Sequence, residues 1–242
     1  RNNVGCTTGV VSAMRAHRVS RLVFSSSCTV YGEPDDVPVT ESSPIGATNP
    51  YGATKVACEE LLAVEADAGG LDVLLLRYFN PVGAHPSGDL GEDPRGVPDN
   101  LVPYLMQVAV GRRDRLAVFG GDYDTPDGSA IRDYLHIMDL AEGHVAALDA
   151  LAAHDGPTGC TAVNLGTGTG HSVLDVVAAA SRVIGRPVPH QVVGRRAGDI
   201  ERIWADSSRA VDLLGWRASR SLDEMLADHW RWQQRHPVGY DA

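Results

Sequence analysis

The chain has 242 residues, 43% apolar and 21% charged, enough to bury one large core or two small ones. Its 21 basic and 31 acidic residues leave a formal charge of −10, which on average repels nucleic acid and anionic membrane. Any anionic substrate must then be held by a few local arginines.

No run of about 18 apolar residues and no basic-then-apolar leader occurs, so neither a membrane span nor an export signal is expected. Cys6, Cys28, Cys58 and Cys160 are far apart, in no CxxC or Cys/His ligand spacing. They point to reduced thiols and a cytoplasmic location. The chain opens at Arg1 and runs at once from Asn2 into a helical pattern through Val11 and Met14. With no capped start and no preceding strand, a fragment of a longer protein is expected.

Short apolar runs then alternate with amphipathic stretches, the pattern of α/β layering. A helix over 2–17 is followed by a strand at Arg21–Ser25 and a polar, proline-bearing loop from Ser26 to Pro50. A second helix runs from about Tyr51 to Ala68 and is closed by Gly69-Gly70. The unbroken apolar run Asp72–Arg77 suits a strand buried on both faces. Residues 81–100 form a long loop rich in Gly, Pro and Asp, a type that is usually functional or disordered.

Next come a helix from about Leu101 to Arg112, a strand at Leu116–Phe119 and a polar loop to Asp133. A helix from about Met138 to Ala152 and a strand at Ala162–Leu165 follow. Ser172 with Asp175 opens a helix whose stripe is Val173, Val176, Val177, Ala180 and Ile184, and Gly185 with Pro187 ends it. Ser221 with Glu224 opens the last helix, with Leu222, Met225, Leu226, His229 and Trp230 as its buried face. There is no internal repeat.

The stretch with most chemical content is Tyr51-Gly-Ala-Thr-Lys55. Residues at i and i+4 share a helix face, and the stripe continues through Cys58 and Leu62, so Lys55 lies on the apolar side. An ammonium there is expected to lower the phenol's pKa by stabilising the phenolate, making Tyr51 able to take a proton from a sugar hydroxyl. Alone, a Tyr-x-x-x-Lys pair is common by chance. Ser25-Ser26-Ser27-Cys28-Thr29-Val30-Tyr31-Gly32 at the end of a strand adds a serine where ligands of open α/β sheets bind.

With these two stretches stand Arg77-Tyr-Phe-Asn-Pro-Val-Gly-Ala-His85, Pro98-Asp-Asn-Leu-Val-Pro-Tyr104 and Arg132-Asp-Tyr-Leu-His-Ile-Met-Asp139. Together they make the chain similar, from Asn2 to Arg235-His236-Pro237, to the extended short-chain dehydrogenase/reductase family. Within it the resemblance is to the UDP-glucose 4-epimerase branch. The resemblance implies a Rossmann-like doubly wound parallel sheet lacking its first strands, in residues 1–80 with later contributions near 134–166. It implies a smaller α/β UDP-sugar-binding domain mainly in 81–242. It also implies NAD as cofactor, reversible C4 epimerisation of UDP-glucose and UDP-galactose in galactose metabolism, and a homodimer pairing through the first two helices. The family's glycine-rich NAD turn and its ribose-binding acid would lie upstream of Arg1, so this stretch alone is expected to bind NAD poorly and to be inactive, while the complete protein is an enzyme.

Carried over by position, the resemblance makes Tyr51 the acid/base. Lys55 tunes it and holds the nicotinamide ribose, and Ser27 bonds the reacting sugar oxygen. Asn2, Tyr78 and Phe79 fall where the family contacts NAD. Thr29, Asn80, Asn100, Leu101, Ala117, Phe119, Tyr134 and Val173 fall on the UDP-sugar side. Arg132 and Arg196 match the arginines on the diphosphate, and Asp199 lies near the nucleotide ribose.

Nucleotide-sugar dehydratases carry a Thr-Asp-Glu set where this chain has Ser27-Cys28-Thr29, which disfavours dehydration. An epimerase of another UDP-sugar, N-acetylated or pentose, and an inactive fragment are the alternatives. Ile203 stands where the family limits room for an N-acetyl group.

Gly166-Thr-Gly-Thr-Gly170 is GxGxG rather than GxGxxG and has no acidic partner about 20 residues on, so it reads as a turn and helix start. His136 and His144 lack a third ligand, so no metal site is expected. Trp204, Trp216, Trp230 and Trp232 read as packing residues.

Overall fold

Asp72–Tyr78 is a strand because its apolar side chains fill both of its faces. In the structure, a computed structural model that describes residues 2–240, five consecutive residues of it are buried. In chain order the elements begin with helix α1 (Asn2–His17), strand β1 (Arg21–Ser25), a 3-10 turn at Cys28–Tyr31, helix α2 (Pro50–Asp67) and strands β2 (Asp72–Tyr78) and β3 (Asn80–Val82). Helix α3 (Leu101–Ala109), strands β4 (Leu116–Phe119) and β5 (Ile131–His136), helix α4 (Ile137–Ala152), and strands β6 (Cys160–Leu165) and β7 (Gly170–Ser172) follow. The chain continues with helix α5 (Val173–Ile184), strands β8 (His190–Val193) and β9 (Arg202–Ile203), and helices α6 (Ser208–Leu214) and α7 (Leu222–Arg235).

β1, β2 and β6 form a parallel sheet in that order, with Ser25 opposite Leu76 and Tyr78 opposite Leu165. Alternation divides β2 between two cores. Val73 and Leu75 meet Val11 and Met14 of α1 and Leu62 and Ala66 of α2. Leu74 and Leu76 meet Leu140, Ala147 and Leu151 of α4, with Ala210 and Trp216. Helices therefore cover both faces, as a parallel sheet requires. α1 and α2 are further joined by Asn3 Nδ2 donating to Thr54 Oγ1 at 2.8 Å and by the Arg15–Glu65 ion pair.

The remaining strands build a second layer. β5 pairs with β3 and β9 in parallel and with β7 in antiparallel, while β4 pairs with β8 in parallel. A third core joins α3, α5 and α7 through Leu105, Met106, Val176, Ala180, Met225 and Leu226. Both capping boxes form, Ser172 with Asp175 and Ser221 with Glu224. Gly185 ends α5 with φ 79°, a left-handed conformation that suits glycine.

Several elements differ from the sequence reading. β5 begins inside what reads as a polar loop, because Arg132 and Asp133 find polar partners that let them enter a strand. β3, β7, β8 and β9 are two to four residues long and owe their existence to distant partners, so no local period announces them. α3 ends at Ala109, α6 was not expected, and the GxGxG turn reaches α5 only through β7. On α7, Trp232 is fully buried where Trp230 was expected; Trp230 packs half-buried at the edge of the third core. Among the described residues no helix is long and apolar enough to cross a membrane.

His229 on α7 is fully buried with neither ring nitrogen bonded, and burial pushes its pKa down to about 4. A folded value below the usual ~6.5 means the neutral ring's stability is present above that pH and is lost as pH falls towards 4. His229→Leu should therefore flatten the pH dependence of urea unfolding between pH 6.5 and about 4, by up to about 1.4 kcal/mol per pH unit. Identical pH dependences of variant and parent would contradict this.

Candidate active site

Three serines leave the carboxyl end of β1, where parallel sheets present ligand-binding groups. Ser27 caps the 3-10 turn, and its Oγ accepts from the Thr29 amide at 3.2 Å and the Thr29 hydroxyl at 3.0 Å. Ser25 gives its carbonyl to Lys55 Nζ at 2.7 Å. The Ser25 hydroxyl lies 2.8 Å from His144 Nε2, while His144 Nδ1 lies 2.8 Å from the Leu140 carbonyl. That carbonyl only accepts, so His144 Nδ1 carries a hydrogen and donates it.

The next helix is aimed by its own start. Asn49 caps α2, its side chain accepting from the Gly52 amide at 2.8 Å, and Pro50 occupies the first turn, where its missing N–H costs nothing. Gly52 is required by close approach: a Cβ there would stand 2.7 Å from the Thr29 carbonyl. The helix thus lies against the turn that carries Ser27. Along its inner stripe burial deepens from Tyr51, 47% exposed, through half-buried Lys55 to fully buried Cys58 and Leu62.

Lys55 Nζ stands 5.6 Å from the Tyr51 ring centre and 5.0 Å from that of Phe24. The Tyr51 phenol is nevertheless shifted upward, against the expectation from the sequence. Burial is the main cause and the nearby Cys28 thiol adds to it, while Ser27 and Tyr78 pull the value down. The Lys55 ammonium donates to the Ser25 carbonyl alongside. Burial in turn pushes the Lys55 pKa down. Tyr78 is raised to about 12, by burial first and then by Tyr51 and Cys28. Ser27, Thr29, Tyr51, Lys55 and Tyr78 therefore form one group.

A second group is cationic. Arg132 on β5 donates to the carbonyls of Ile131 at 2.8 Å and Ile200 at 2.7 Å. Its charge acts on the Cys28 thiol, Tyr134 and Tyr123, and it is aligned with Ile203 in β9. Arg196 lies over the Phe119 ring at 5.3 Å and bonds Asp199 at 2.8 and 3.1 Å. Ala117 and Phe119 alternate with buried Leu116 and Val118, so they occupy the outer face of β4. Asn100 opens α3 without a side-chain cap bond and steadies the Glu92 carboxyl, whose pKa burial raises.

Other expected site residues sit deeper or apart. Phe79 is buried beside Cys28, Val30 and Ile203. Tyr134 is buried in the third core opposite Asn80, and Leu101 and Val173 pack half-buried on that core. Asn2 is exposed at the first position of α1. In the GxGxG turn, Asp133 accepts from the amides of Thr167 at 2.9 Å and Gly168 at 3.0 Å, and from the Thr167 hydroxyl at 2.6 Å. Amides that could cradle a phosphate are thus taken by an internal carboxylate.

The sequence reading missed a buried ion pair beneath the first group, Arg77 Nη2 to Glu59 Oε2 at 2.6 Å, to which Ser26 donates. Its signals were a charge inside the apolar run of β2 and an acid at i+4 from Lys55 on the inner face of α2.

Residues 1–166 match the NAD dependent epimerase/dehydratase family. The UDP-glucose 4-epimerase of Yersinia pestis is 52% identical over 241 residues, covering 99% of this chain and 70% of its own length. That of Bacillus subtilis is 52% identical over 242 residues, covering 100% and 70%. The crystal structure of the Bifidobacterium longum UDP-glucose 4-epimerase in complex with NAD+ and UDP superposes with a TM-score of 0.93 at 47% identity, covering 99% of this chain and 71% of that one.

In this structure Tyr51 should ionise above the ordinary tyrosine value of about 10. The difference in alkaline absorbance titration between the parent chain and Tyr51→Phe isolates its contribution, and a midpoint at or below 10 would contradict the burial account.

Proposed function

Since this chain belongs to the NAD-dependent epimerase/dehydratase family, and within it to the UDP-glucose 4-epimerases, we propose that it inverts C4 of UDP-glucose and UDP-galactose reversibly through a 4-keto sugar, with Tyr51 as its acid/base. The observation that carries this reading is the close packing of the start of α2 on the turn that carries Ser27, where Gly52 leaves no room for a Cβ beside the Thr29 carbonyl, with Lys55 anchored at Ser25 and 5.6 Å from the Tyr51 ring centre.

Tyr51 takes the O4 proton and later returns it. Ser27, placed at the mouth of the turn, bonds the same oxygen and keeps it in line. The residues present fit the nicotinamide-ribose end of NAD. An ammonium has three hydrogens and Lys55 spends one on the Ser25 carbonyl, leaving two for ribose hydroxyls. When bound, NAD supplies the acceptor and donor for the C4 hydride.

Arg132 supports the substrate assignment. A guanidinium held only by carbonyls among the described residues keeps its positive charge available for a diphosphate. Arg196, on the Phe119 ring beside Asp199, extends that surface towards a nucleotide. Firm anchoring of UDP with few bonds to the sugar would let the 4-keto ring turn over and receive hydride on its other face. We place Asn80, Asn100, Leu101, Ala117, Tyr134 and Val173 around the nucleotide sugar, and Asn2 and Phe79 on the NAD side. Pairing of two copies through α1 and α2 belongs to the same reading, supported by the outward-facing Val10 and Val64.

Incubation with UDP-galactose, UDP-glucose and their N-acetyl forms, followed by product analysis, tests the reaction. Tyr51→Phe should lower kcat by about 10²–10⁴-fold and leave UDP binding nearly unchanged; unaltered turnover would refute the assignment. Arg132→Lys should act mainly on KM, because the fork that pairs with phosphate is lost while the charge remains. A change confined to kcat would remove Arg132 from the diphosphate.

A further inference from the structure

The three serine hydroxyls at the end of β1 go to three different places. Ser25 meets His144 on α4, Ser27 meets Thr29 and acts on Tyr51, and Ser26 donates to Glu59 Oε1 on α2. Ser26 is fully buried, and each side chain of the Glu59–Arg77 pair is only 8% exposed. The guanidinium grips the carboxylate at both oxygens, Nε to Oε1 at 3.0 Å and Nη2 to Oε2 at 2.6 Å. Its remaining arm, Nη1, donates to the Tyr31 hydroxyl at 3.1 Å and the Glu41 carbonyl at 3.3 Å. Tyr31 in turn donates to Asn164 Oδ1 on β6 at 2.6 Å.

A carboxylate held in this way cannot rotate, so Oε1 offers Ser26 a fixed direction. Ser26 immediately precedes the turn that Ser27 caps, and Tyr31 is the last residue of that turn. Both ends of the segment carrying Ser27 are therefore tied to one ion pair. Glu59 belongs to the helix that carries Tyr51 and Lys55, so the same pair fixes that segment to α2. Stability alone does not account for the arrangement, since a buried ion pair is often no more stabilising than apolar side chains of the same volume. Directional bonds are what apolar residues could not supply.

We propose that Ser26, Glu59 and Arg77 are positioning residues for the epimerisation, holding Ser27 in register with Tyr51 across the junction of β1, the turn and α2. They are buried beneath the reacting hydroxyls and act only through them. This inference rests on the roles given above to Ser27 and Tyr51.

Ser26→Ala removes the link and leaves the ion pair intact; Arg77→Lys keeps the charge but loses the two-point grip. Each, in the full chain, should retain cooperative unfolding and move the Tyr51 part of the alkaline titration to higher pH, because Ser27 no longer steadies the phenolate. For UDP-galactose, kcat should fall by roughly tenfold to hundredfold with KM within about twofold of the parent. If both variants leave the Tyr51 titration and kcat in place, or lower only the unfolding midpoint, the positioning role is overturned. A shifted titration in a chain that converts no UDP-sugar, parent included, would sink the functional reading and leave only the alignment of Ser27 with Tyr51.

Discussion

β2 carries a guanidinium into a parallel sheet covered by helices on both faces, and that charge must be neutralised where it sits. Arg77 is 7% exposed and Glu59 from α2 is the group that neutralises it. Removing either partner from such a pair costs about 3–5 kcal/mol, because an uncompensated charge is left behind. The pair draws in Ser26, Tyr31 and, through Tyr31, Asn164, whose amide nitrogen donates to the Val39 carbonyl at 3.0 Å. β1, β2, β6, α2 and the loop before α2 are thus joined by one chain of polar contacts. The electrostatics show the same coupling: burial and Glu59 act in opposite directions on Arg77, which ends firmly charged, and burial raises Tyr31 to about 12, so it stays a donor.

Asp133 has the corresponding place in the second layer. Burial raises its pKa, and bonds from Thr167, Gly168 and the Ala205 amide oppose that shift. Those bonds fasten β5 to the GxGxG turn and to the segment after β9. Arg132, its neighbour on β5, is thereby fixed in direction, and among the described residues its guanidinium bonds only carbonyl oxygens. Neighbouring residues of opposite charge thus differ in their partners, Asp133 turned into the protein and Arg132 bonded to backbone carbonyls. Alternation along a strand provides that difference directly.

The long periodic elements and the capping boxes could be read from the sequence because their signals are local. The stripe of α5 and the Ser221–Glu224 box are complete within one segment. β9 has two residues and becomes a strand only beside Ile131 and Arg132, about seventy positions away, and no local pattern encodes that. In the candidate site, residue types and spacing pointed to Ser27, Tyr51 and Lys55, and the fold brings them together. The direction of the Tyr51 shift was misread because spacing shows that Lys55 is near but not how far the phenol is buried. Glu59 and Arg77 escaped notice because each alone resembles an ordinary surface charge; only the pairing of α2 with β2 buries them together.

Burial gives Tyr51 and Lys55 a common direction, each towards its uncharged form. Tyrosine rises from 10.0 and lysine falls from 10.5, so the two shifts work against the ordinary order in which the phenol loses its proton first. Burial makes such a phenol hold its proton more tightly than an exposed one. The Lys55 ammonium, held by the Ser25 carbonyl at 2.7 Å, is the cation that stands nearby, 5.6 Å from the Tyr51 ring centre. Ser27 and Tyr78 supply what remains, hydrogen-bond donation to the phenolate. Such donation is strongly directional, so a small displacement of the turn carrying Ser27 weakens it. A site of this kind therefore depends on the rigidity of what lies beneath the serines as well as on the residues at its surface.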